Sequence, residues 1–196
     1  VAIDIDGPVA AETRKSLVEG WRLPAGRPFR QQDWSEAKQQ VLSGLLSVAH
    51  ADARLVDSEA RIDAETQQAH LMARYDAGPP YRFGALRTTG LYRYPASLVE
   101  RYNRAAEAGT PYREESLAAL QSALLATPYF SAAHVTLDRD GAVRGEDGSL
   151  TAPVDVDVRE RPAHRVGFGA GVSSNTGARV EAGYHTPNLF NQAWVL

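Results

Sequence analysis

Residues 163–196 carry the pattern that most constrains how this chain of 196 residues can fold. Along 166–173 apolar side chains alternate with glycine or serine, and along 178–185 the alternation returns after a turn-like Ser-Asn-Thr-Gly. Alternation over this length predicts two β-strands, each with an apolar face and a small or polar face. A soluble sheet with one wet face and a transmembrane β-barrel both fit this pattern. Three glycines in the first strand favour the barrel, because glycine weakens a strand unless its backbone must bend or approach another segment closely.

The composition limits the kinds of partner, metal site and membrane segment that the chain can have. The net charge of −3 and the pI near 6.0 single out neither nucleic acid nor an anionic membrane surface as a partner. The chain has no cysteine, which excludes disulfides and thiolate metal sites. Its apolar runs fall far below the ~20 residues of a transmembrane helix, so that only a barrel could enter a membrane. No signal peptide is visible and residue 1 is Val, and we expect the natural N-terminus to lie further upstream.

Two related hexapeptides, 83 residues apart, indicate a duplication at domain scale. They are AGRPFR at 25–30 and AGTPYR at 108–113. Each precedes an amphipathic helix with apolar residues at spacings of three, four and seven, and each helix precedes two strand-like stretches. One further strand and a shorter helix lie ahead of each hexapeptide. Each unit therefore reads strand, helix, helix, strand, strand, which predicts a three-stranded sheet with two helices on one face.

The predicted fold class is α+β, with two tandem modules followed by the first strands of a truncated β-barrel. We place the modules at 1–77 and 78–162, and the barrel fragment, with its first two strands, at 163–196. Proline stiffens the short join at 76–80, which predicts a restricted angle between the modules. In the first module the apolar parity slips past Asp57-Ser58, which predicts a β-bulge or turn there.

This order of elements resembles the POTRA (polypeptide-transport-associated) modules that precede the barrel in bacterial outer-membrane insertases. The motifs that carry the resemblance are GPPYRFG at 78–84, AGTPY at 108–112 and LATPYFS at 125–131. Residues 165–177 and 184–196 are similar to the first two barrel strands and the turn that opens the third. Among the subfamilies, the run is most similar to the translocation and assembly module (TamA) subfamily.

The resemblance implies a non-enzymatic role in bringing autotransporters and other β-barrel proteins into the outer membrane. The modules would face the periplasm, where their partners would be unfolded outer-membrane or autotransporter polypeptides and a large inner-membrane-anchored subunit. Two alternatives stay open: a two-partner secretion transporter, which exports one dedicated protein, and a free-standing periplasmic POTRA scaffold that binds other proteins.

The second strand of each module is the candidate site for clients or partners. In this family it lies on a sheet edge, where unpaired N–H and C=O groups can receive an extended chain. The alternative, a merely solvated edge, stays open for both strands. The candidates are Ala51, Asp52, Ala53, Arg54, Leu55, Val56, Ala132, Ala133, His134, Val135, Thr136 and Leu137.

The first strand of the tail is the second candidate site. By resemblance it pairs with the last barrel strand at a lateral seam, where its glycines would keep the pairing weak enough for a client strand to exchange. The strand comprises Arg165, Val166, Gly167, Phe168, Gly169, Ala170, Gly171 and Val172. Two strands cannot close a barrel, since the smallest have about eight. We therefore expect an ordered hairpin to self-associate through its open edges.

The sequence predicts neither a catalytic site nor a cofactor or metal. The five histidines lack HxxH, HxH and HExxH spacing, and there is no Gly-x-Ser-x-Gly elbow or P-loop. The Gly-Phe-Gly-Ala-Gly of 167–171 is glycine alternation within a strand and opens no helix, so it does not predict a phosphate site.

Overall fold

The computed structural model describes residues 1–162, 165–173 and 177–185. The predicted turn at 174–176 and the predicted opening of a third barrel strand at 186–196 lie outside the described residues. The elements, in chain order, are β1 (Ala2–Asp6), α1 (Ala11–Glu19), α2 (Gln31–Ser47), β2 (Arg54–Asp63), β3 (Gln68–Asp76), β4 (Tyr81–Thr89), α3 (Ala96–Tyr102), α4 (Glu114–Leu125), β5 (Phe130–Leu137), β6 (Val143–Arg144), β7 (Leu150–Glu160), β8 (Arg165–Ser173) and β9 (Gly177–His185).

The α+β class and the repeated strand–helix–helix–strand–strand order are confirmed. The first sheet has the order β1-β3-β2 and the second has β4-β7-β5, with the two-residue β6 paired to β7. In each sheet the central strand runs parallel to the first strand and antiparallel to the second. The second strand of each module therefore lies on a sheet edge.

The apolar stripes of α2 and α4 explain where the long helices pack. In α2 the buried residues are Trp34, Ala37, Val41 and Leu45, and in α4 they include Leu117, Leu120 and Leu124. Spacings of three and four place such residues on one side of a helix, which then covers one face of its sheet. Both helices begin after an extended arginine without a side-chain cap, and both carry acidic residues in the first turn, where negative charge is favoured. No helix in the described part of the chain is both long and apolar enough to cross a membrane.

Two separate hydrophobic cores result. The core under α2 contains Trp21 and Trp34, whose rings meet edge to face at 5.9 Å between centroids. The core under α4 contains Tyr94, Tyr129 and Phe130, again packed as tilted or edge-on rings. Large buried aromatic side chains of this kind dominate the burial of apolar surface in small sheets.

The predicted start of the first edge strand is wrong. Ala51, Asp52 and Ala53 lie in the turn between α2 and β2, and the strand begins at Arg54. Ala51 and Ala53 are both buried, but in different cores: Ala51 packs into the second core and Ala53 into the first. The predicted irregularity near Asp57 is confirmed, because the β2–β3 register shifts between Leu55 and Asp57.

The hairpin of β8 and β9 has the alternation that the sequence predicts. Phe168 lies opposite Ala182 and Ala170 opposite Val180, while Gly167 lies opposite Gly183. Directly opposed residues share a face, so the register sorts apolar side chains to one side and glycine to the other. Within the described residues these two strands pair only with each other.

Candidate functional site: strand edges and the module junction

The turn after α2 connects the two modules through backbone hydrogen bonds. The Ala49 N–H donates to the Tyr112 carbonyl at 2.9 Å, and the Tyr81 N–H donates to the Ala49 carbonyl at 2.6 Å. Ala49 has φ of 61°, a left-handed conformation that is uncommon for a residue with a Cβ. That strain is tolerated where surrounding contacts fix the backbone, and here both backbone groups of Ala49 are held by the second module.

Asp52 adds side-chain contacts to this junction. Its carboxylate accepts a 2.6 Å hydrogen bond from the Tyr81 hydroxyl and a 3.4 Å contact from Arg139, which also donates to the Ala51 carbonyl at 3.2 Å. Burial and the hydrogen bond to Asp52 raise the pKa of Tyr81 to about 12, so the phenol stays a donor well into the alkaline range. The Arg139–Asp52 ion pair is partly exposed and is worth less than about 1 kcal/mol.

His50 is buried in the same turn. Burial lowers the pKa of His50, while hydrogen bonding to the backbone of Gly78 and Ala77 acts in the opposite direction. Its Nδ1 has no hydrogen-bond partner among the described residues. The lowered pKa favours the neutral imidazole, which lies buried against the backbone of Ala77 and Gly78. Ala51, Asp52 and Ala53, predicted as edge residues, belong to this junction.

The remaining residues of the first candidate edge are placed as predicted. Arg54, Leu55 and Val56 begin β2, whose ten residues form one edge of the first sheet. Val56 and Ile62 are 54% and 62% exposed along it. Lys38 of α2 reaches across to this strand, where its Nζ donates to the Ser58 hydroxyl at 3.1 Å. A lysine at a sheet edge discourages pairing with other chains.

All six candidates of the second module lie in β5. They follow a register shift at the start of the strand and form the edge of the second sheet. These residues are Ala132, Ala133, His134, Val135, Thr136 and Leu137. The Val135 N–H points away from the central strand and donates to Oε1 of Gln121 in α4 at 3.2 Å. One amide of the candidate edge is therefore already bonded to a helix side chain.

A groove runs between α4 and this edge and ends at the first module. Its lining includes Leu46, Ala51, Tyr112, Leu117, Leu137 and Arg139. Side chains from both modules thus form one surface beside β5. An extended chain lying along the edge would reach the junction as well.

The second candidate site, the predicted seam strand, is β8. Val166 and Phe168 are exposed on its apolar side. Among the described residues, a Cβ at Gly167 or Gly171 would meet no atom within 4 Å, and one at Gly169 would only touch Glu181 at 3.8 Å. The hairpin itself therefore does not require glycine at these three positions for space. The three glycines therefore need an explanation other than lack of space.

Glu160, which the sequence did not single out, fixes the end of β7 shortly before β8. Its carboxylate accepts hydrogen bonds from the backbone amides of Tyr92, Arg93 and Tyr94 at 2.9–3.1 Å, and from Nε of Arg93 at 2.8 Å. The side chain is only 4% exposed. Burial alone would raise its pKa, but these hydrogen bonds outweigh burial and lower the pKa of Glu160 to about 2. The exit of the second module is thereby anchored.

Solved structures supply the fold comparison. BamA from Haemophilus ducreyi lacking POTRA domains 1–3 is similar over 94% of this chain and 33% of its own, at 19% identity and a TM-score of 0.65. POTRA3–5 of BamA from Haemophilus influenzae is similar over 81% of this chain and 60% of its own, at 20% identity and a TM-score of 0.55. The two modules have the POTRA fold. No family model matches the chain, and no curated protein gives a significant match.

The comparison also bears on the tail. The chain spans about a third of the length of the first BamA structure and 60% of the second. The first match covers 94% of the chain, which is more than residues 1–162 alone could supply. It therefore extends beyond the POTRA modules into the stretch of β8 and β9. Membership of the TamA subfamily stays a prediction.

Proposed function

We propose that this chain is the periplasmic and barrel-junction part of an outer-membrane protein that assists the assembly and insertion of β-barrel proteins, including autotransporters. One observation carries the proposal: two modules of the POTRA fold, each with an edge strand, lead directly into a hairpin whose faces are sorted into apolar and glycine-rich. The role is non-enzymatic, and it acts through strand pairing.

The sheet edges support capture of unfolded clients. An edge strand presents backbone N–H and C=O groups to an incoming extended chain, and these bonds depend little on the client's side chains. β5 has such an edge beside a groove lined by Leu46, Leu117 and Leu137. A client with apolar side chains on alternate positions could place them in the groove while its backbone pairs with β5.

The hairpin supports a barrel in the outer membrane. Phe168, Ala170, Val180 and Ala182 share its apolar face and are exposed, as side chains that face lipid must be. The other face carries the glycines together with Arg179 and Glu181, whose Nε and Oε1 lie 3.0 Å apart. Glycine and charged residues suit a polar barrel interior.

The glycines of β8 support a lateral seam. Because a Cβ at these positions would meet no close contact in the described part of the hairpin, the three glycines are better explained by flexible pairing of β8 with another strand. A client strand could exchange at that seam without leaving backbone groups unpaired in lipid.

The partners proposed for the protein follow from this role. They are unfolded outer-membrane or autotransporter polypeptides and, as in the TamA subfamily that the sequence resembles, a large inner-membrane-anchored subunit that spans the periplasm. The modules would lie in the periplasm and the strands in the outer membrane. Self-association through β8 and β9 stays a prediction for the isolated chain.

Site-specific photocrosslinking in cells that express the protein tests this function. A photoreactive amino acid at Ala133 or Thr136 on β5, or at Arg61 on β2, should crosslink to several newly made outer-membrane proteins. The same probe at Ser122, exposed on α4, is the matched control. Crosslinks to one dedicated protein would instead favour a two-partner secretion transporter. Edge crosslinks no more frequent than those from Ser122 would contradict strand capture.

A further inference from the structure

The N–H groups of β5 alternate between the central strand and the free edge. In an antiparallel pair successive residues point their amides toward and away from the partner strand. The Asp138 N–H donates to the Pro153 carbonyl, toward β7, at 2.9 Å. The Val135 N–H donates instead to Gln121. By this alternation the amides of Ala133, Val135 and Leu137 face the free edge.

The side chain of Gln121 accepts the N–H of Val135, the middle one of these three residues. Its half-buried side chain extends from α4, and its Oε1 lies 3.2 Å from the Val135 nitrogen. A side-chain amide oxygen is chemically equivalent to the peptide oxygen that an added strand would bring to the same N–H group. The two oxygens therefore compete for one donor.

The equivalent position in the first module has different chemistry. Lys38 and Gln121 each lie eight residues after the N-cap arginine of their helix. Lys38 extends over the Trp34 ring at 4.9 Å and donates to the Ser58 hydroxyl. An ammonium group has no acceptor, so it cannot take an outward N–H of β2 as Gln121 does on β5.

We propose that Gln121 is a gate residue: its side-chain oxygen must leave the Val135 N–H before a client strand can pair with β5. This inference rests on the proposed function and deepens it by naming the residue that sets the affinity of one edge. The occupant is an extended strand with apolar side chains on alternate positions, because the outward amides bind its backbone and the groove beside them contains Leu46, Leu117 and Leu137. The strands β8 and β9 have this type of alternation themselves.

The test uses the whole chain and a fluorescent peptide with the sequence of residues 177–185, with binding followed by anisotropy. Gln121→Ala removes the competing oxygen and should tighten binding by about two- to tenfold, the range of one net neutral hydrogen bond. Gln121→Glu keeps an acceptor at the same distance and should bind no more tightly than the unmodified chain. Lys38→Ala, the matched change in the first module, should leave the affinity of β5 unchanged.

Hydrogen exchange of the edge amides locates the peptide and separates the outcomes. We expect Ala133 and Leu137 to gain protection when the peptide binds. Equal affinity of Gln121→Ala and the unmodified chain, with those amides protected, would overturn the gate and leave strand capture intact. Protection confined to β2 would also overturn the gate and leave strand capture intact, because the peptide would then pair with the edge of the first module. No binding and no protection in any variant would contradict strand capture itself, and the gate with it.

Discussion

The hydroxyl of Tyr81 lies 2.6 Å from a carboxylate oxygen of Asp52, which ties the first strand of the second module to the turn that follows α2 in the first. Arg139 approaches the other oxygen of the same carboxylate. Two donors of the second module thus converge on one carboxylate of the first. Because the groove beside β5 ends at this junction, the angle between the modules and the shape of the groove depend on the same contacts.

Replacing Tyr81 by Phe should loosen the junction. The substitution removes one hydrogen bond to a carboxylate and should cost about 1–2 kcal/mol of unfolding free energy, with a wider distribution of distances between spin labels on the two modules. Tyr75→Phe is the matched control, since Tyr75 donates to the Lys38 carbonyl within the first module. That variant should lose stability without any change in the distance distribution. Equal widening in both variants would argue against a specific junction contact.

The sequence could predict the regular part of this architecture because local patterns determine it. The spacing of Val41 and Leu45 and the alternation in β7 each indicate their element directly, and the parity slip near Asp57 indicates the bulge. The alternation of Ala51 and Ala53 misleads for a physical reason. The two alanines are buried in different cores, so their spacing reflects contact with two modules rather than one strand face.

The contacts that the sequence could not predict are those between residues far apart along the chain. Glu160 bonds to amides 66–68 residues away, and no local pattern indicates that a single glutamate at a strand end will be buried. The pairing of Gln121 with Val135 is likewise a helix-to-edge contact, which depends on the packing of α4 against β5. The hexapeptide repeat does align Gln121 with Lys38, and that alignment is the one sequence signal that marks the position.

Adjacent leucines in α4 should differ sharply in their contribution to stability. Leu124 is fully buried and Leu125 is 39% exposed. We expect Leu124→Ala to cost about 2–5 kcal/mol, because it removes buried methyl groups and leaves a cavity. Leu125→Ala should cost less than about 1 kcal/mol. Urea denaturation of both variants measures the difference, and similar losses would mean that α4 packs by a different face.

Glu160 should make stability depend on pH in the acid range. The pKa of this carboxyl is about 2 in the folded chain, against ~4.3 in an unfolded peptide. The stabilisation is therefore fully present above the unfolded value and is lost as the pH falls from about 5 toward 2, with a total on the order of 3 kcal/mol. Glu160→Gln should be less stable at pH 7 and should lose less on acidification. Glu146→Gln, on an exposed loop, should keep the pH profile of the unmodified chain.

Valine at Gly167, Gly169 and Gly171 should impair client insertion while the POTRA modules stay folded. An added Cβ meets no close contact at these positions in the described part of the hairpin, so the expected defect comes from stiffer and more stable pairing of β8 at the seam. The measurement is the rate at which a reporter autotransporter acquires its folded barrel in cells that express the triple variant. Ala170→Val, on the opposite face of the same strand, introduces a β-branched residue without altering the three glycines. Insertion at an unchanged rate in the triple variant, with normal protein levels, would remove the role proposed for the glycines in strand exchange.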